Sequence, residues 1–338
     1  MKLLVSLALF AAFLFCPAAC ADGVREGLSL AAAQALPALF PFFVISELLT
    51  RCGFAERLSF RLPARLYGLP PAASPALLLG LIGGYPVGAA AVCALYEQGA
   101  LSRDAAERLG RLCNCAGPGF CIGLVGLGVF GSARTGALLY AIQLAAALAV
   151  GLCFDRTPLP DLPHRAEQPA CTSFSAAFCA AVRQAASTAL TVTAFLTIFS
   201  VLLRLVSPLF AQLPCGSAID GMIELTNGLD ALAALPLPRP ARLTLASFLL
   251  GFGGFSVQFQ IRALAEAHDL PLRGLSVAKL LHGGFAAALT ALLCRVSPAV
   301  LTVSVPAPAP APVRLRYTIA VLCVSALYPI WGWKKHRK

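Results

Sequence analysis

The sequence is poor in charge and lacks the motifs of common soluble enzymes. Only 12% of its 338 residues are Asp, Glu, Lys or Arg, whereas 59% are hydrophobic. Soluble domains carry about twice that charged fraction, so this chain cannot cover a water-exposed surface in the ordinary way. It also contains no Gly-x-x-x-x-Gly-Lys-Ser/Thr phosphate loop, no His-Glu-x-x-His and no Gly-x-Ser-x-Gly. We therefore expect neither a nucleotide-driven motor nor an enzyme, and no cofactor is predicted.

The residues between the charged positions form long apolar runs. A helix needs about 20 apolar residues to cross the hydrocarbon core of a bilayer. Runs that reach or approach this length are Leu3–Ala21, Gly27–Ser46, Leu66–Tyr96, Leu112–Ala133, Thr135–Phe154, Gln184–Leu203, Leu243–Ile261 and Tyr317–Trp333. The sequence therefore predicts an all-α, polytopic integral membrane protein with about 8 to 10 membrane segments, whose main partner is the lipid bilayer.

The net charge of +11 comes from local basic clusters. Four arginines lie close together at Arg51, Arg57, Arg61 and Arg65, and the chain ends in a basic tail over residues 334–338. Short basic loops and tails of membrane proteins stay on the cytoplasmic side. We therefore predict a cytoplasmic C-terminal tail and no nucleic-acid partner.

A small-molecule solute is the expected ligand, and a homo-oligomer is left open.

Met1–Ala21 has two interpretations. Its basic start, apolar stretch and small-residue end are typical of a cleaved signal peptide. More apolar helices follow at once, which favours a retained first membrane segment. We predict the retained segment.

The 13 cysteines form no pattern of metal ligands or disulfide partners. Most lie inside apolar runs, where Cys acts as a small hydrophobic residue. The one cluster, Cys113, Cys115 and Cys121, lacks the spacing of a zinc or redox motif. No metal site is predicted.

Two internal matches predict that the chain consists of two related repeats. Gly83–Gly88 aligns with Gly253–Gln258 at a difference of 170 in residue number, and Ala35–Leu49 aligns with Ala189–Leu203 at a difference of 154. The second half would then hold a surplus of 16 residues between Leu203 and Gly253. Repeats with broken helices are common in transporters, whose sites lie at the repeat interface. Whether the two halves are parallel or inverted is left open.

The predicted organisation has six segments. They are an N-terminal membrane segment (1–24), a first repeat (25–154), a loop rich in Pro and charge (155–175), a second repeat (176–300), a Pro/Ala linker (301–313), and a C-terminal membrane helix with a basic tail (314–338).

Glycine motifs inside the apolar runs are the first candidates for a binding site. Four glycines and a proline within Gly80–Gly88 cannot continue an ordinary helix. In lipid, the freed backbone groups must face protein or a water-filled cavity. Small residues for tight helix packing are the alternative. The predicted ligand-facing residues at these breaks are Gly83, Gly84, Tyr85 and Pro86 in the first half, and Gly253, Gly254, Ser256 and Gln258 in the second.

Three further polar residues lie in apolar surroundings. Asn114 precedes a Gly117-Pro118-Gly119 break, and either binds a ligand or joins neighbouring helices. Glu224 and Asn227 lie three residues apart and share one face of a helix. A carboxylate in an apolar membrane segment is costly unless it is paired or faces a cavity, so Glu224 is a functional candidate. A salt bridge to Arg204 is the alternative.

Six motifs carry a family resemblance. They are Pro41-Phe42-Phe43-Val44, the Gly83-Gly84-Tyr85-Pro86-Val87-Gly88 break, Leu95-Tyr96-Glu97-Gln98-Gly99, Cys113-Asn114-Cys115-Ala116-Gly117-Pro118, Glu224-Leu225-Thr226-Asn227-Gly228 and the segment Gly251–Val257. With these motifs, over roughly residues 25–300, the chain resembles the YlbJ-type sporulation integral membrane proteins, of the nucleoside-recognition Gate domain group.

The resemblance implies a location and a role. It implies a multi-pass protein of the bacterial inner membrane, needed to build the spore and its cortex, with a transporter-like core related to concentrative nucleoside carriers. The function predicted first is therefore movement or recognition of a small polar, nucleoside-like solute. The alternative is a non-transporting membrane scaffold for spore assembly factors.

Overall fold

The structure, a computed structural model, describes residues 2–52, 65–162, 173–210 and 216–296, and the regular elements of these ranges are all helices. Five of these helices are long and apolar enough to cross a membrane, namely Pro17–Arg51, Ala133–Leu152, Phe174–Phe210, Arg239–Glu266 and Leu275–Val296. The predicted all-α, polytopic membrane fold is thereby confirmed. Arg57, Arg61, the linker 301–313 and the C-terminal segment 314–338 lie outside the described residues.

We number the helices in chain order. They are α1 (Lys2–Phe15), α2 (Pro17–Arg51), α3 (Ser74–Gly83), α4 (Val87–Glu97), α5 (Arg103–Leu112), α6 (Gly119–Val129), α7 (Ala133–Leu152), α8 (Phe174–Phe210), α9 (Gly216–Ile223), α10 (Leu225–Leu232), α11 (Arg239–Phe252), α12 (Gly254–Glu266) and α13 (Leu275–Val296). Helix α2 includes a π-helical turn at Ala31–Ala35, and α6 is π-helical throughout.

The predicted first membrane segment, Leu3–Ala21, is divided by a bend. Helix α1 ends at Phe15, and Cys16 leaves the helical region with φ −123° and ψ 51°. Pro17 causes the bend, because its ring disfavours a helical residue before it and it donates no backbone hydrogen bond. The 14 residues of α1 are shorter than the roughly 20 that span a bilayer, whereas α2 continues for 35.

Helices α2 and α8 run antiparallel along most of their length. A Cβ on Gly23 would lie 2.6 Å from Val201 Cα, and one on Gly27 would lie 2.6 Å from Thr197 Cα. Further along α2, Phe43 packs with Ala185. Residue numbers therefore rise in one helix as they fall in the other. We call the two ends of this pair the Arg51 end, where α2 finishes and α8 begins, and the Pro17 end.

Two short helical hairpins pack beside these long helices. Helices α3 and α4 reverse direction, since a Cβ on Gly88 would lie 2.9 Å from Gly80 Cα. Helices α9 and α10 also reverse direction, since Gly228 and Gly221 meet so closely that a Cβ on Gly228 would overlap Gly221 Cα. The hairpin α3–α4 opens towards the Arg51 end and α9–α10 towards the Pro17 end.

Helices α11 and α12 form a broken helix that keeps one direction. They run antiparallel to α13, as three pairs of contacting residues show: Ser247 with Thr290, Gly251 with Gly283, and Gln258 with Ser276. The first half has its own interrupted passage, in which residues 113–118 separate α5 from α6.

This geometry corrects the predicted alignment at the glycine motifs. The match of Gly83–Gly88 with Gly253–Gln258 pairs the turn of a hairpin with a break in a continuing helix. The hairpin of the second half is α9–α10, which lies in the segment that the alignment treats as a 16-residue surplus. The two-repeat organisation itself stays a prediction. If it holds, the antiparallel α2 and α8 make the repeats inverted.

Candidate functional site

The tip of the first hairpin carries the predicted residues Gly83–Pro86. Gly84 has φ +78°, and a Cβ there would lie 2.6 Å from the Gly117 nitrogen, so only glycine fits. The Tyr85 N–H donates to the Cys115 carbonyl at 3.0 Å, and the Tyr85–Pro86 peptide bond is cis. The tip is thereby fixed against the break between α5 and α6, with the Tyr85 ring pointing into the protein.

Asn114 lies at this break and is almost fully buried. Its side-chain amide donates to the Gly110 carbonyl at 2.7 Å, while its Oδ1 has no hydrogen-bond partner among the described residues. Its backbone carbonyl accepts a hydrogen bond from Lys279 Nζ at 2.8 Å. Lys279 also lies 5.5 Å from the centre of the Tyr85 ring, a cation–π distance. The structure is therefore compatible with both alternatives for Asn114. Its backbone carbonyl joins it to α13, and among the described residues its Oδ1 is left to accept a hydrogen bond from a ligand.

Glu224 forms the tip of the second hairpin. It is the N-cap of α10, and its Oε2 accepts from the Asn227 N–H at 2.7 Å and from Asn227 Nδ2 at 2.9 Å. Its Oε1 accepts from the Ser256 hydroxyl at 3.2 Å. Asn227 Nδ2 also donates to Ser200 Oγ at 2.8 Å. The carboxylate thus lies at the N-termini of α10 and α12, where the helix dipoles favour a negative charge.

The structure does not support the alternative partner for Glu224. Arg204 pairs with Glu26 at 2.6 Å, near the Pro17 end. Glu224 forms no ion pair with a described residue, and only 2% of it is exposed. A buried carboxylate without a cation is stable only if hydrogen bonds satisfy its oxygens, and here three such bonds do so.

The second glycine break contributes backbone geometry and one hydroxyl. Gly253 and Gly254 have φ +79° and +67°, and Gly254 packs against the N-terminus of α10 at Leu225. Ser256 is fully buried, and its hydroxyl is engaged by Glu224. Gln258 has a different place from the one expected: its Nε2 donates to the Phe252 carbonyl at 3.2 Å, and its Oε1 accepts from Ser276 at 2.7 Å. It stabilises the helix break and lines neither cavity described next.

A small cavity lies between the two hairpin tips. Its volume is about 20 Å³, which holds about one water molecule. Tyr85, Glu224 and Gln260 line it together with apolar residues of α2, α6 and α8. The Tyr85 hydroxyl is buried, and no residue that the structure describes forms a hydrogen bond with it. We call this space the central cavity.

A second cavity, which we call the vestibule, has a volume of about 490 Å³ and lies towards the Arg51 end. Helix α8 presents a polar wall with helical spacing, formed by Gln184, Ser187, Thr188 and Thr191. Helix α4 presents an apolar wall with the same spacing, formed by Val87, Ala90, Ala91 and Ala94. Gln260 lines both cavities, and its side chain has no hydrogen-bond partner in the part of the chain that the structure describes.

Most of the predicted residues therefore meet around the two tips, and Gln258 does not join them. Sequence reasoning missed Lys279, which lies in the apolar helix α13 and reaches across to Asn114. A lone lysine within such a helix was the available signal, since a charge at membrane depth is rarely incidental. It also missed Ser200, for which the sequence offers no signal.

Comparisons with known proteins place the chain beside one curated relative. No family model matches it, and no solved structure matches it. It is 29% identical over 318 residues to the sporulation integral membrane protein YlbJ of Bacillus subtilis (strain 168), a match that covers 82% of this chain and 78% of that protein. The resemblance read from the motifs is confirmed. The grouping with Gate domains is not tested by this match and stays a prediction.

Proposed function

We propose that this YlbJ-type sporulation integral membrane protein acts on a small, polar, uncharged solute during spore formation. It either moves the solute across the membrane or binds it there as a recognition signal. Under this proposal the solute enters the vestibule and passes Gln260 to the central cavity between the hairpin tips. Tyr85, Glu224 and Asn227 form the inner site. The family resemblance makes a nucleoside-like solute the first class to test.

One observation carries the proposal: two hairpin tips and two helix breaks converge on a buried polar centre that adjoins a larger cavity. Broken helices are costly in a membrane and persist where they line a site or a cavity. The unbonded Tyr85 hydroxyl and the Gln260 amide supply hydrogen-bonding groups that no described residue uses. A solute that bonds to the Tyr85 hydroxyl would remove the cost of burying that group unpaired, and the Gln260 amide faces both cavities.

The vestibule walls support an uncharged solute. The carboxylate of Glu47, the one acidic residue among the described residues of the lining, is 2.7 Å from Arg51 Nε. The other polar lining groups are hydroxyls and amides, and the facing wall of α4 is apolar. A solute with hydroxyl or amide groups on one face and a flat, apolar other face would match both walls.

The test is uptake of labelled nucleosides and other neutral polar solutes into proteoliposomes that contain the full chain. We expect uptake of at least one solute, and loss of that uptake in Glu224→Gln and Asn227→Ala. The vestibule has a matched pair on α8: Thr188 lines it, whereas Thr193 does not and bonds its own helix at Ala189. Thr188→Val should reduce uptake and Thr193→Val should not.

The scaffold alternative predicts the opposite pattern. A scaffold should support spore formation in a sporulating host even when the cavity is spoiled by Glu224→Gln, Asn227→Ala or Gly84→Leu. Flat uptake across a broad panel, together with normal spores from these variants, would rule out the transporter function.

A further inference from the structure

Lys279 is a buried lysine in α13, one of the five helices that are long and apolar enough to cross a membrane. It is 1% exposed, and among the described residues it forms no ion pair with a carboxylate. Its ammonium donates to the Asn114 carbonyl at 2.8 Å and lies over the Tyr85 ring at 5.5 Å. A buried charge with neutral partners is costly and needs a reason.

The surroundings of Lys279 are rich in negative helix ends. Asn114 follows the last turn of α5, whose unpaired carbonyls carry the negative end of the helix dipole. Gly253 caps the C-terminus of α11, and a Cβ there would lie 3.3 Å from Lys279 Cε and 3.7 Å from its Nζ. The ammonium therefore donates to a carbonyl just after α5 and lies close to the C-terminal end of α11.

In transporters with broken helices, such C-terminal ends and unwound carbonyls commonly hold a coupling Na⁺. A carbonyl oxygen and an aromatic face are also ligands that suit a monovalent cation. In this chain the ammonium of a side chain already takes that position. The position carries one positive charge without any ion from solution.

We propose that Lys279 is a built-in cation that replaces a coupling Na⁺ at the α5 and α11 helix ends. The protein then needs no Na⁺ for folding or for its cycle. Shortening the side chain converts the position into a site for a monovalent cation from solution. The part of this inference that concerns the cycle rests on the proposed transport function, whereas the site itself does not.

The test measures thermal unfolding of the full chain in detergent. After heating, size-exclusion chromatography gives the fraction of protein that stays monodisperse. Na⁺ or methylammonium replaces choline at constant ionic strength. We expect the unfolding midpoint of wild type not to move with either cation. Lys279→Ala should unfold at a lower temperature, and either cation should raise its midpoint by about 3 °C or more at roughly ten times its Kd.

Lys279→Met is the matched control, because its apolar side chain fills the space and leaves no room for a cation. Its midpoint should fall and should not respond to Na⁺ or methylammonium. The proposal is overturned if Na⁺ stabilises wild type, or if the Ala and Met variants respond equally. Should Lys279→Ala not fold, Lys279→Ser supplies the shortened side chain, and the wild-type measurement still decides.

This assay requires no solute. A chain that transports nothing can still show the built-in cation, and a transporting chain can lack it. The two proposals therefore fail separately.

Discussion

The two hairpins have the same construction and different tips. Each is closed by a pair of glycines, Gly80 with Gly88 and Gly221 with Gly228. The tip of α3–α4 holds a glycine, a tyrosine and a proline, and is neutral. The tip of α9–α10 is the single residue Glu224, which accepts three hydrogen bonds.

The two tips therefore contribute different things to the centre of the protein. The first tip contributes close backbone contact and an aromatic ring, while the second contributes the carboxylate. Lys279 also belongs to the second half, although it serves the break in the first. The charged groups of the centre thus come from one half of the chain, and the matching hairpin geometry from both.

The largest expected effect comes from the glycine pairs that both hairpins share. A Cβ on Gly88 would overlap the Cys113 carbonyl oxygen, and one on Gly228 would overlap Gly221 Cα. Because backbone must move in each case, Gly88→Ala and Gly228→Ala should each destabilise by about 1–3 kcal/mol or more. Recovery of monodisperse protein and the unfolding midpoint measure this.

Gly284 provides the control for that prediction. It lies exposed in α13, and a Cβ there would have nothing within 4 Å. Gly284→Ala should be neutral or stabilise by up to about 1 kcal/mol. If Gly88→Ala, Gly228→Ala and Gly284→Ala lowered the free energy of unfolding equally, then glycine content, and not hairpin closure, would set the stability.

The second effect should appear at the charged tip alone. Glu224→Ala leaves the Asn227 backbone N–H and the Ser256 hydroxyl without an acceptor, at a cost of about 1–3 kcal/mol, while the Asn227 side-chain amide keeps Ser200 Oγ as an acceptor. Glu224→Gln keeps one acceptor and should cost less. Unfolding midpoints of the two variants test the order. Wild-type stability in Glu224→Ala would contradict the hydrogen-bond network described above.

The third effect is at the neutral tip and has the opposite sign. The Tyr85 hydroxyl is buried without a partner in the described ranges, so Tyr85→Phe should keep the ring contacts to Lys279 and Phe120 and raise stability by up to about 1 kcal/mol. Solute uptake should fall, because the proposed site loses a hydrogen-bonding group. A clear drop in stability would mean that the hydroxyl is bonded after all.

The smallest effect concerns the base of the first hairpin, at the Arg51 end. Arg108 there donates to the Tyr67 carbonyl and to Asp155. Hydrogen bonds from the Thr157 backbone N–H and hydroxyl, with a further contribution from Arg108, lower the pKa of Asp155. A lowered folded-state pKa stabilises above the unfolded value of about 3.9, and that contribution is lost as pH falls through the folded value.

Asp155→Asn should therefore unfold at a slightly lower temperature than wild type at neutral pH. The difference should shrink as pH falls below about 4. Because Asp155 is exposed, the effect is small. A difference between the two midpoints that does not depend on pH would show that the carboxylate charge plays no part.

Composition and run length were enough to predict the all-α membrane fold, because both follow from the requirement that lipid-facing residues be apolar. The positions of the helix ends at Gly83 and Phe252 also follow from the sequence, since glycines and a proline interrupt helices locally. The direction of the chain after each break does not. Gly84 and Gly253 have nearly equal φ, +78° and +79°, but ψ is −176° at one and −1° at the other.

That single ψ difference accompanies a reversal at Gly84 and a continuation at Gly253. Both residues are glycine, so the residue type at this position does not tell which will occur; contacts such as Gly84 with Gly117 accompany the outcome. The buried position of Glu224 at a helix break could be anticipated, because a carboxylate is chemically unusual in apolar surroundings. The hydrogen bonds of Gln258 to Phe252 and Ser276 could not be predicted, because they depend on how α12 and α13 meet.

The Lys279–Asn114 hydrogen bond also has a consequence in time. Its two residues are 165 positions apart in sequence. At ribosomal speeds of about 5–20 residues per second, Lys279 follows Asn114 by on the order of ten to thirty seconds. During that interval the first half is already being inserted while its carbonyl has no ammonium to accept from. The centre of this protein can therefore reach its final form only after α13, the last described helix, has been synthesised.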